Sequence, residues 1–191
     1  MNELRTYFNA ISPITDETWE KVRVLFSESQ LKKSQLFIDE GQIAAKIGFL
    51  KSGVVRAFYR NSEGTEYNKH FFVPHSIVGG YASLITGKPN KIVQQALTDC
   101  QLLTADFREL SALYNSLPDL ERVARKLAEF YFVDKEEREI EIVLLDADKR
   151  YAIFQKQYPG LEQIISQYHI ASYLGITPTQ LSRIRKKLSQ K

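Results

Sequence analysis

The segment that most constrains this chain is QYHIASYLGITPTQLSRIRKKL, residues 167–188, which has the pattern of two short helices joined by a tight turn. Ile170 and Leu174 are four residues apart and therefore share one helical face. Ala171 beside them is small enough for a second helix to approach closely. Gly175 follows at the position where a left-handed residue ends a helix. The segment therefore predicts a closely packed pair of helices.

The start of the second helix is well specified. Thr177 is a favourable N-cap, and Pro178 suits the first helical position because its missing N–H would have no partner there. Gln180 completes a capping box with Thr177. Three apolar residues then repeat at helical spacing and are expected to face inward: Leu181, Ile184 and Leu188.

This arrangement is typical of a DNA-binding helix-turn-helix, whose second helix enters the major groove. The candidates for reading base edges are Thr179, Gln180 and Arg183. The candidates for phosphate contacts are Arg185, Lys186 and Lys187. Pro178 and Ser182 also face outward, and His169 is expected either to contact a phosphate or to pack between helices. The alternative is an ordinary helical hairpin with a solvated basic face.

Basic charge is concentrated around this segment. The whole chain has a formal net charge of only +3, from 26 basic and 23 acidic residues. Residues 149–191 hold eight basic side chains against the single acid Glu162, so this part carries +7 and the rest of the chain −4. A local excess of positive charge is what a nucleic-acid-binding surface requires.

Composition limits the remaining possibilities. With 191 residues and 43% hydrophobic content, the chain can bury one large core or two small ones, and two domains are expected. Cys100 is the only cysteine, which excludes an internal disulfide, and we expect it to be buried in a strand. There is no apolar run of membrane-spanning length and no signal-peptide pattern in MNELRTYFNAI. We therefore expect a cytoplasmic protein without a membrane partner.

In the first part of the chain, the sequence pattern changes from one typical of helices to one typical of β-strands. Residues 13–30 have apolar side chains at helical spacing and predict a short amphipathic helix capped by Thr15 or Asp16. Between residues 34 and 107, short β-rich runs alternate with turns, and no helix of ordinary length fits. Residues 61–65 are predicted to join two strands as a hairpin loop. Several strands in so short a span indicate a small barrel or jelly roll.

A long helix is predicted to begin at Pro118. One of its sides carries an apolar stripe that repeats much as a coiled-coil seam does: Leu120, Val123, Leu127, Phe130 and Tyr131. We interpret this stripe as a dimer interface, because a two-fold dimer reads two DNA half-sites whereas one helix-turn-helix reads a single short one. The alternative is that the stripe packs on the chain's own barrel. Residues 134–141 are expected to be solvated, and a further helix to span Asp146 to Tyr158.

The predicted fold class is α+β, in three consecutive parts. Residues 1–115 form an N-terminal double-stranded β-helix or jelly-roll domain with a short preceding helix. Residues 116–146 form the dimerisation helix, and residues 147–191 form the helix-turn-helix domain.

This order of parts resembles the cyclic AMP receptor protein/FNR (Crp/Fnr) family of bacterial transcription regulators. The resemblance lies in GFLKSGVVRAFYRNSEGTEYNKHFFVPHSIVGG, residues 48–80, for a cyclic-nucleotide-binding-like β-roll, and in IASYLGITPTQLSRIRKKL, residues 170–188, for the reading element. It implies a homodimer that reads a roughly palindromic operator with residues 178–188, with double-stranded DNA and RNA polymerase as partners. It also implies that Pro178, Thr179 and Arg183 face base edges.

The sequence departs from the cyclic-AMP-binding members that it resembles. Those members have a glutamate for the ribose hydroxyl and an arginine-serine pair for the phosphate, whereas here Gly80 replaces the glutamate and Asn90 and Lys91 lie near the pair. A lysine offers a point charge and not the planar fork with which arginine binds phosphate. We therefore predict that cyclic AMP is not a tight ligand, and that the effector is another molecule or none. The candidate ligand-binding residues are Gly79, Gly80, Tyr81, Asn90 and Lys91.

The sequence ends at Lys191, directly after the second helix of the pair, without the β-wing of many relatives. The backbone contacts that a wing makes are thus expected to come from elsewhere or to be missing.

Two other functions stay open. One is a small-molecule-binding β-roll whose helix-turn-helix contacts a protein. The other is a barrel enzyme that uses His70 and His75, although their spacing is poor for a shared metal. No nucleophile motif, phosphate loop or paired-carboxylate pattern is present. A DNA-binding regulator with no catalytic residue, metal site or cofactor is therefore the leading hypothesis.

Overall fold

The β-rich run forms a two-sheet β-roll in this computed structural model, which describes residues 1–189, the side chain of Ser189 excepted. The strands are β1 (Ser27–Leu31), β2 (Leu36–Ile38), β3 (Lys46–Ser52), β4 (Val55–Arg60), β5 (Glu66–Phe72), β6 (Ile77–Val78), β7 (Val93–Ala96) and β8 (Cys100–Asp106). One sheet has the order β1-β8-β3-β6 and the other the order β2-β7-β4-β5. The α+β class with jelly-roll-like sheets is confirmed, and so is the loop at residues 61–65, where the Asn61 N–H donates to the Thr65 carbonyl at 3.0 Å.

The chain divides into two compact units. The first comprises Met1–Ala57 and Phe71–Phe132, and the second comprises Phe58–His70 and Val133–Lys191. The second unit therefore includes the outer halves of β4 and β5 as well as the C-terminal helices. This division differs from consecutive domains, because a hairpin from the middle of the chain joins the C-terminal unit. Lys191, which the sequence assigns to the basic segment, lies outside the described residues.

Two helices precede the roll, and one prediction about them is partly wrong. They are α1 (Asn2–Ile11) and α2 (Asp16–Arg23), and Thr15 is the N-cap of α2, accepting the Thr18 N–H. The helix predicted over residues 13–30 ends at Arg23, since Ser27–Leu31 pairs antiparallel with β8 as strand β1. A cross-strand ladder satisfies the backbone of this segment in place of a third helical turn.

Within the roll, two short helices follow strands β6 and β8. They are α3 (Tyr81–Thr86) and α4 (Phe107–Ala112), each of six residues. The core beneath them includes Phe49 and Leu103, both fully buried. Cys100 is buried in β8, as predicted, and its thiol pKa is raised by burial.

The long helix α5 spans Pro118–Leu144 and begins where the sequence predicts. The prediction of its dimer-facing residues is corrected in part. Leu120 and Val123, each only 2% exposed, pack in the core of the first unit, whereas Phe130 is 63% exposed. The N-terminal turns of α5 thus serve the monomer core. Within residues 1–189, α5 is the longest helix, and none combines the length and hydrophobicity that crossing a bilayer requires.

The second unit is built on an aromatic core. Its helices are α6 (Ala147–Gln157), α7 (Gln167–Leu174) and α8 (Pro178–Ser189), with a 3-10 turn at Leu161–Gln163. Asp146 caps α6 by accepting the Lys149 N–H at 2.9 Å, so the predicted helix is confirmed. The Phe154 ring lies 5.5 to 6.4 Å from three neighbouring rings, stacked on Tyr151 and tilted against Tyr158 and Tyr173.

His70 contacts this aromatic core from strand β5. Its Nδ1 lies 3.4 Å from the Tyr158 hydroxyl and 3.9 Å from an Asp134 carboxylate oxygen. Burial lowers the pKa of His70 from its ordinary value of 6.5 to about 4, and the positive charges of Lys69 and Arg138 act in the same direction. His70 is therefore neutral at pH 7 and packs as a structural residue.

Asp119 ties α2 to the start of α5. Its carboxylate accepts the Thr15 N–H at 2.8 Å, the Thr18 hydroxyl at 2.7 Å and the Leu120 N–H at 3.0 Å. Burial acts to raise the pKa of Asp119, but these hydrogen bonds outweigh it and hold the pKa below its ordinary value. We predict that Asp119→Ala lowers the free energy of unfolding by about 1 to 2 kcal/mol, because three donors lose their acceptor.

Urea unfolding followed by the fluorescence of Trp19, the single tryptophan, measures this change. Glu121→Ala is the matched control, because it removes an acid from the same first turn of α5. Equal stability of the two variants would contradict the role of Asp119.

The low pKa of His70 predicts a pH-dependent loss of stability. Because the unfolded chain takes up the proton near pH 6.5 and the folded chain only near pH 4, stability is lost as the pH falls through this window. We expect His70→Gln to flatten the acid dependence of unfolding by about 1 to 3 kcal/mol between these limits. His75→Gln, at an exposed histidine, is the control and should leave the dependence of the parent protein intact. Identical profiles for both variants would refute the assignment.

Candidate nucleic-acid interface

The turn between α7 and α8 is as tight as the sequence predicts. Gly175 ends α7 in the left-handed conformation, with φ of 67°, a geometry that favours glycine. The Ile176 N–H then donates to the Ala171 carbonyl at 3.0 Å, which closes the end of α7. The apolar residues between the two helices are buried: Ile170, Ala171, Leu174, Leu181 and Ile184.

The capping box at the start of α8 is confirmed, and it engages the side chain that was predicted to read adenine, Gln180. The Gln180 N–H donates to Thr177 Oγ1 at 3.2 Å, and Gln180 Oε1 accepts the Thr177 N–H at 2.9 Å. Bidentate pairing with adenine needs both the oxygen and the nitrogen of a glutamine side chain. Gln180 must therefore leave its capping bond to read adenine, and in the cap it is a structural residue.

The outer face of α8 is open to solvent. The exposed residues of the predicted set are Pro178, Thr179, Gln180, Ser182, Arg183, Lys186 and Lys187. Arg183 makes no ion pair with any residue in the described part of the chain. Leu188, predicted to face inward, is 39% exposed because it lies in the last turn of α8, beyond the contact with α7.

Two cations of α8 are already paired with acids. An Arg185 guanidinium nitrogen lies 3.9 Å from a Glu162 oxygen, and Arg185 is half-buried. Lys187 Nζ lies 2.6 Å from Asp148 Oδ2, with both side chains largely exposed. Exposed pairs of this kind contribute little and are screened by salt, so Lys187 can exchange Asp148 for another anion. Arg185 is the more constrained of the two.

Two arginines that the sequence did not assign to the interface support the C-terminus of α7. The Arg138 guanidinium lies 3.9 Å from the centre of the Tyr173 ring and donates to the Tyr173 carbonyl. Arg150 Nε donates to the Leu174 carbonyl at 3.1 Å. Cations at a helix C-terminus satisfy its free carbonyls and its dipole. Arg138 was predicted to be solvated, but it is half-buried, and Arg150 is structural and not part of an exposed basic surface.

Two residues of α7 itself, Tyr173 and His169, make further contacts with their surroundings. Burial raises the pKa of Tyr173 to about 12, and its hydroxyl donates to Gln157 at 3.1 Å. The His169 ring meets the Tyr168 ring edge-on at 5.5 Å, and its carbonyl accepts a bond from the Asn68 side chain. His169 is half-buried, which fits the packing alternative of its prediction more closely than a phosphate contact.

Among the predicted ligand residues of the roll, Asn90 is engaged by backbone carbonyls and packs close to Gly80. Asn90 is buried, and its Nδ2 donates to the carbonyls of Asp39 and Ile92 at 3.1 and 2.7 Å. A side chain at Gly80 would place its Cβ 3.0 Å from Asn90 Oδ1 and 3.1 Å from Ile38, tighter than ordinary contact. Glycine at this position therefore permits close packing between the turn and Asn90.

The other predicted ligand residues differ in exposure. Tyr81 is exposed at the start of α3, with its ring 6.3 Å from Phe107, and Lys91 is exposed as well. The Gly79 carbonyl accepts the Gln94 side-chain amide at 2.8 Å. Gln94 is 4% exposed, and its Oε1 has no hydrogen-bond partner among the described groups. The sequence did not single out Gln94.

The comparison with known proteins agrees with this architecture. The family model of the cyclic nucleotide-binding domain matches residues 28–116. Over 171 residues the chain is 23% identical to the transcriptional activator protein Anr of Pseudomonas aeruginosa, with 84% of this chain and 69% of Anr covered.

Two solved structures share the fold. FixK2 from Bradyrhizobium japonicum superposes with a TM-score of 0.78 at 18% identity, covering 86% of this chain and 85% of FixK2. The global regulator CLP from Xanthomonas campestris, described as responsive to cyclic di-GMP, gives a TM-score of 0.71 at 17% identity, with 92% of each chain covered. The chain thus matches the cyclic nucleotide-binding domain over residues 28–116, is similar in sequence to Anr and has the fold of FixK2 and CLP.

Proposed function

We propose that this protein is a transcription regulator that binds double-stranded DNA through a helix-turn-helix formed by α7 and α8. The observation that carries the proposal is the exposed face of α8, which presents Arg183 on a helix that is capped at its start and packed on α7. This face lies in the segment of net charge +7. A rigid, basic and exposed helix after a tight turn is the geometry that major-groove reading requires.

Within this proposal the α8 residues have different tasks. Arg183 is the reader, because its guanidinium, which has no ion pair within residues 1–189, can bind guanine with two hydrogen bonds. Thr179 and Ser182 lie exposed near it and offer hydroxyl groups to bases or phosphates. Lys187 contributes to phosphate binding once it leaves Asp148. Gln180 contributes chiefly by holding the N-terminus of α8.

We also infer that the regulator is a homodimer joined along the C-terminal half of α5. Phe130, Val133, Ile140 and Leu144 are all exposed and repeat at coiled-coil spacing, with Glu137 in the remaining position of the stripe. Burial of such a stripe against a second copy removes apolar surface from water. The seam therefore begins near Phe130 and not at Leu120. RNA polymerase is the expected protein partner of a regulator of this kind.

The effector of the β-roll is inferred to be something other than cyclic AMP, or absent. Asn90 satisfies backbone carbonyls with both of its amide hydrogens, and Gly80 supplies no carboxylate for a ribose hydroxyl. A nucleotide phosphate would have only the exposed Lys91 among the predicted ligand residues. The close contact at Gly80 also opposes a restored glutamate.

A protein-binding role for α7 and α8 is the second candidate. The surface beside α7 exposes Ile164 at 59% and Tyr168 at 50%, which are apolar anchors of the kind found in protein interfaces. DNA binding is favoured, because the cations of α8 are separate from these two apolar residues. A protein bound to Ile164 and Tyr168 would leave those cations unneutralised, whereas DNA would neutralise them. The enzyme alternative has less support, since His70 is half-buried beside Tyr158 and His75 stacks on Phe49 at 6.0 Å.

We expect selection from a random pool of DNA duplexes to recover a palindromic sequence. Binding of this duplex should weaken steeply as salt rises, because phosphate contacts release counterions. Arg183→Ala should lower its affinity by about 5-fold to 150-fold and relax the sequence preference. Lys187→Ala should weaken binding to all sequences and reduce the salt slope by about 1.

Arg122→Ala is the matched control, because it removes the same charge from an exposed position on α5 that has no ion pair among the described residues. Fluorescence anisotropy at several salt concentrations measures the affinities. Failure to enrich any sequence at any salt concentration would refute DNA reading and favour the protein-binding alternative.

Calorimetric titration tests the effector inference. We expect no binding of cyclic AMP at micromolar concentrations, and Gly80→Glu should not restore it, because the added side chain meets Asn90 and Ile38. Gly80→Glu should also lower the melting temperature. Micromolar binding by the parent protein would contradict the inference.

A further inference from the structure

Within the second unit, the outer edge of strand β5 forms hydrogen bonds with helix α7. β5 is the last strand in its sheet, next to β4. An edge strand leaves the N–H and C=O groups of alternate residues without a neighbouring strand, and proteins cover such edges to prevent unwanted pairing. Here the residues concerned, Glu66 and Asn68, belong to the same unit as α7.

Ser172 of α7 satisfies this edge with a single hydroxyl group. Its Oγ donates to the Glu66 carbonyl at 2.8 Å and accepts the Asn68 N–H at 3.0 Å. Residues two apart in a strand direct their backbone groups to the same side, so one hydroxyl between them completes both. A serine on α7 thus takes the place of a neighbouring strand.

The side chain of Asn68 adds a third bond from the same strand. Asn68 is 5% exposed, and its Nδ2 donates to the His169 carbonyl at 3.0 Å. His169 and Ser172 are three residues apart and therefore lie on one face of α7. Three directed hydrogen bonds between β5 and one face of a helix fix both its distance and its rotation.

We propose that the outer edge of β5 is a docking site that sets the orientation of α7, with Asn68 and Ser172 as positioning residues. This inference rests on the proposed DNA binding, because α7 carries α8 through the turn at Gly175. Without the bonds to β5, the pair of helices samples more orientations. The affinity for DNA is then lower in proportion to the fraction of molecules in which α8 has the correct orientation.

Hydrogen exchange of the Asn68 backbone amide tests the docking itself. In Ser172→Ala this amide loses its acceptor, and we expect its exchange to accelerate by about threefold to tenfold. Ser172→Thr, which retains a hydroxyl, should restore part of the protection. Ser62→Ala is the matched control, because it removes an exposed hydroxyl from the same hairpin. Unchanged exchange in Ser172→Ala would overturn the proposal.

DNA affinity tests the positioning role. With the duplex recovered by selection from the random pool, Ser172→Ala and Asn68→Asp should each bind about threefold to tenfold more weakly than Ser62→Ala. Asn68→Asp is nearly isosteric and places an oxygen against the His169 carbonyl. Melting temperatures of the variants identify any that fail to fold. If Ser172→Ala fails to fold, the DNA affinity of Ser172→Thr is compared with that of Ser62→Ala in its place.

The outcomes separate this inference from the proposed function. If the parent protein binds no duplex, DNA reading fails, while faster exchange in Ser172→Ala would still establish the docking. If the parent binds DNA and both variants bind equally well, the positioning role is overturned. Tighter binding by the variants would overturn it too, because the docked orientation would then oppose DNA binding.

Discussion

Helix α7 has eight residues, too few to be stable in isolation, so the presentation of α8 depends on what surrounds α7. Its inward face meets the apolar residues of α8, and its C-terminal carbonyls accept bonds from Arg138 and Arg150. Its Ser172 hydroxyl meets the edge of β5. The bonds from Arg138, Arg150 and Ser172 each go to a backbone group, and buried backbone groups need such partners. Helix α8 is thus packed on a helix that is held by polar contacts as well as by its apolar core.

Polar groups of the β-roll are likewise used for contacts within the chain. At Gly80 and Asn90 the chain uses groups that could serve a ligand to complete its own hydrogen bonds and close contacts. An amide that donates to two backbone carbonyls rigidifies the turn and leaves little for a nucleotide. Gln94 is the exception, because its buried Oε1 lacks a partner among the described groups. The roll therefore matches the cyclic nucleotide-binding domain, with Gly80 and Asn90 in close contact with their own surroundings.

The long helix α5 serves two purposes along its length. Its first turns, with Leu120 and Val123, complete the core of the first unit, whereas residues from Phe130 onward expose an apolar stripe. Both parts have the same heptad-like periodicity in the sequence. Periodicity shows which side of a helix is apolar, but it does not show what that side contacts. The dimer interface read from the stripe stays a prediction, and its first two residues, Leu120 and Val123, instead belong to the core of the first unit.

The sequence by itself determined the features that local rules govern. Gly175, Thr177 and Pro178 specify a helix end and a helix start through the conformations they permit, and the loop at 61–65 follows from its turn residues. Tertiary structure alone decided the partners of Arg138 and Asn68. Arg138 lies in the stretch predicted to be solvated and Asn68 was not singled out, yet their contacts are with residues 35 and 101 positions away. Local conformation is encoded within a few residues, whereas long-range polar contacts depend on how the elements pack.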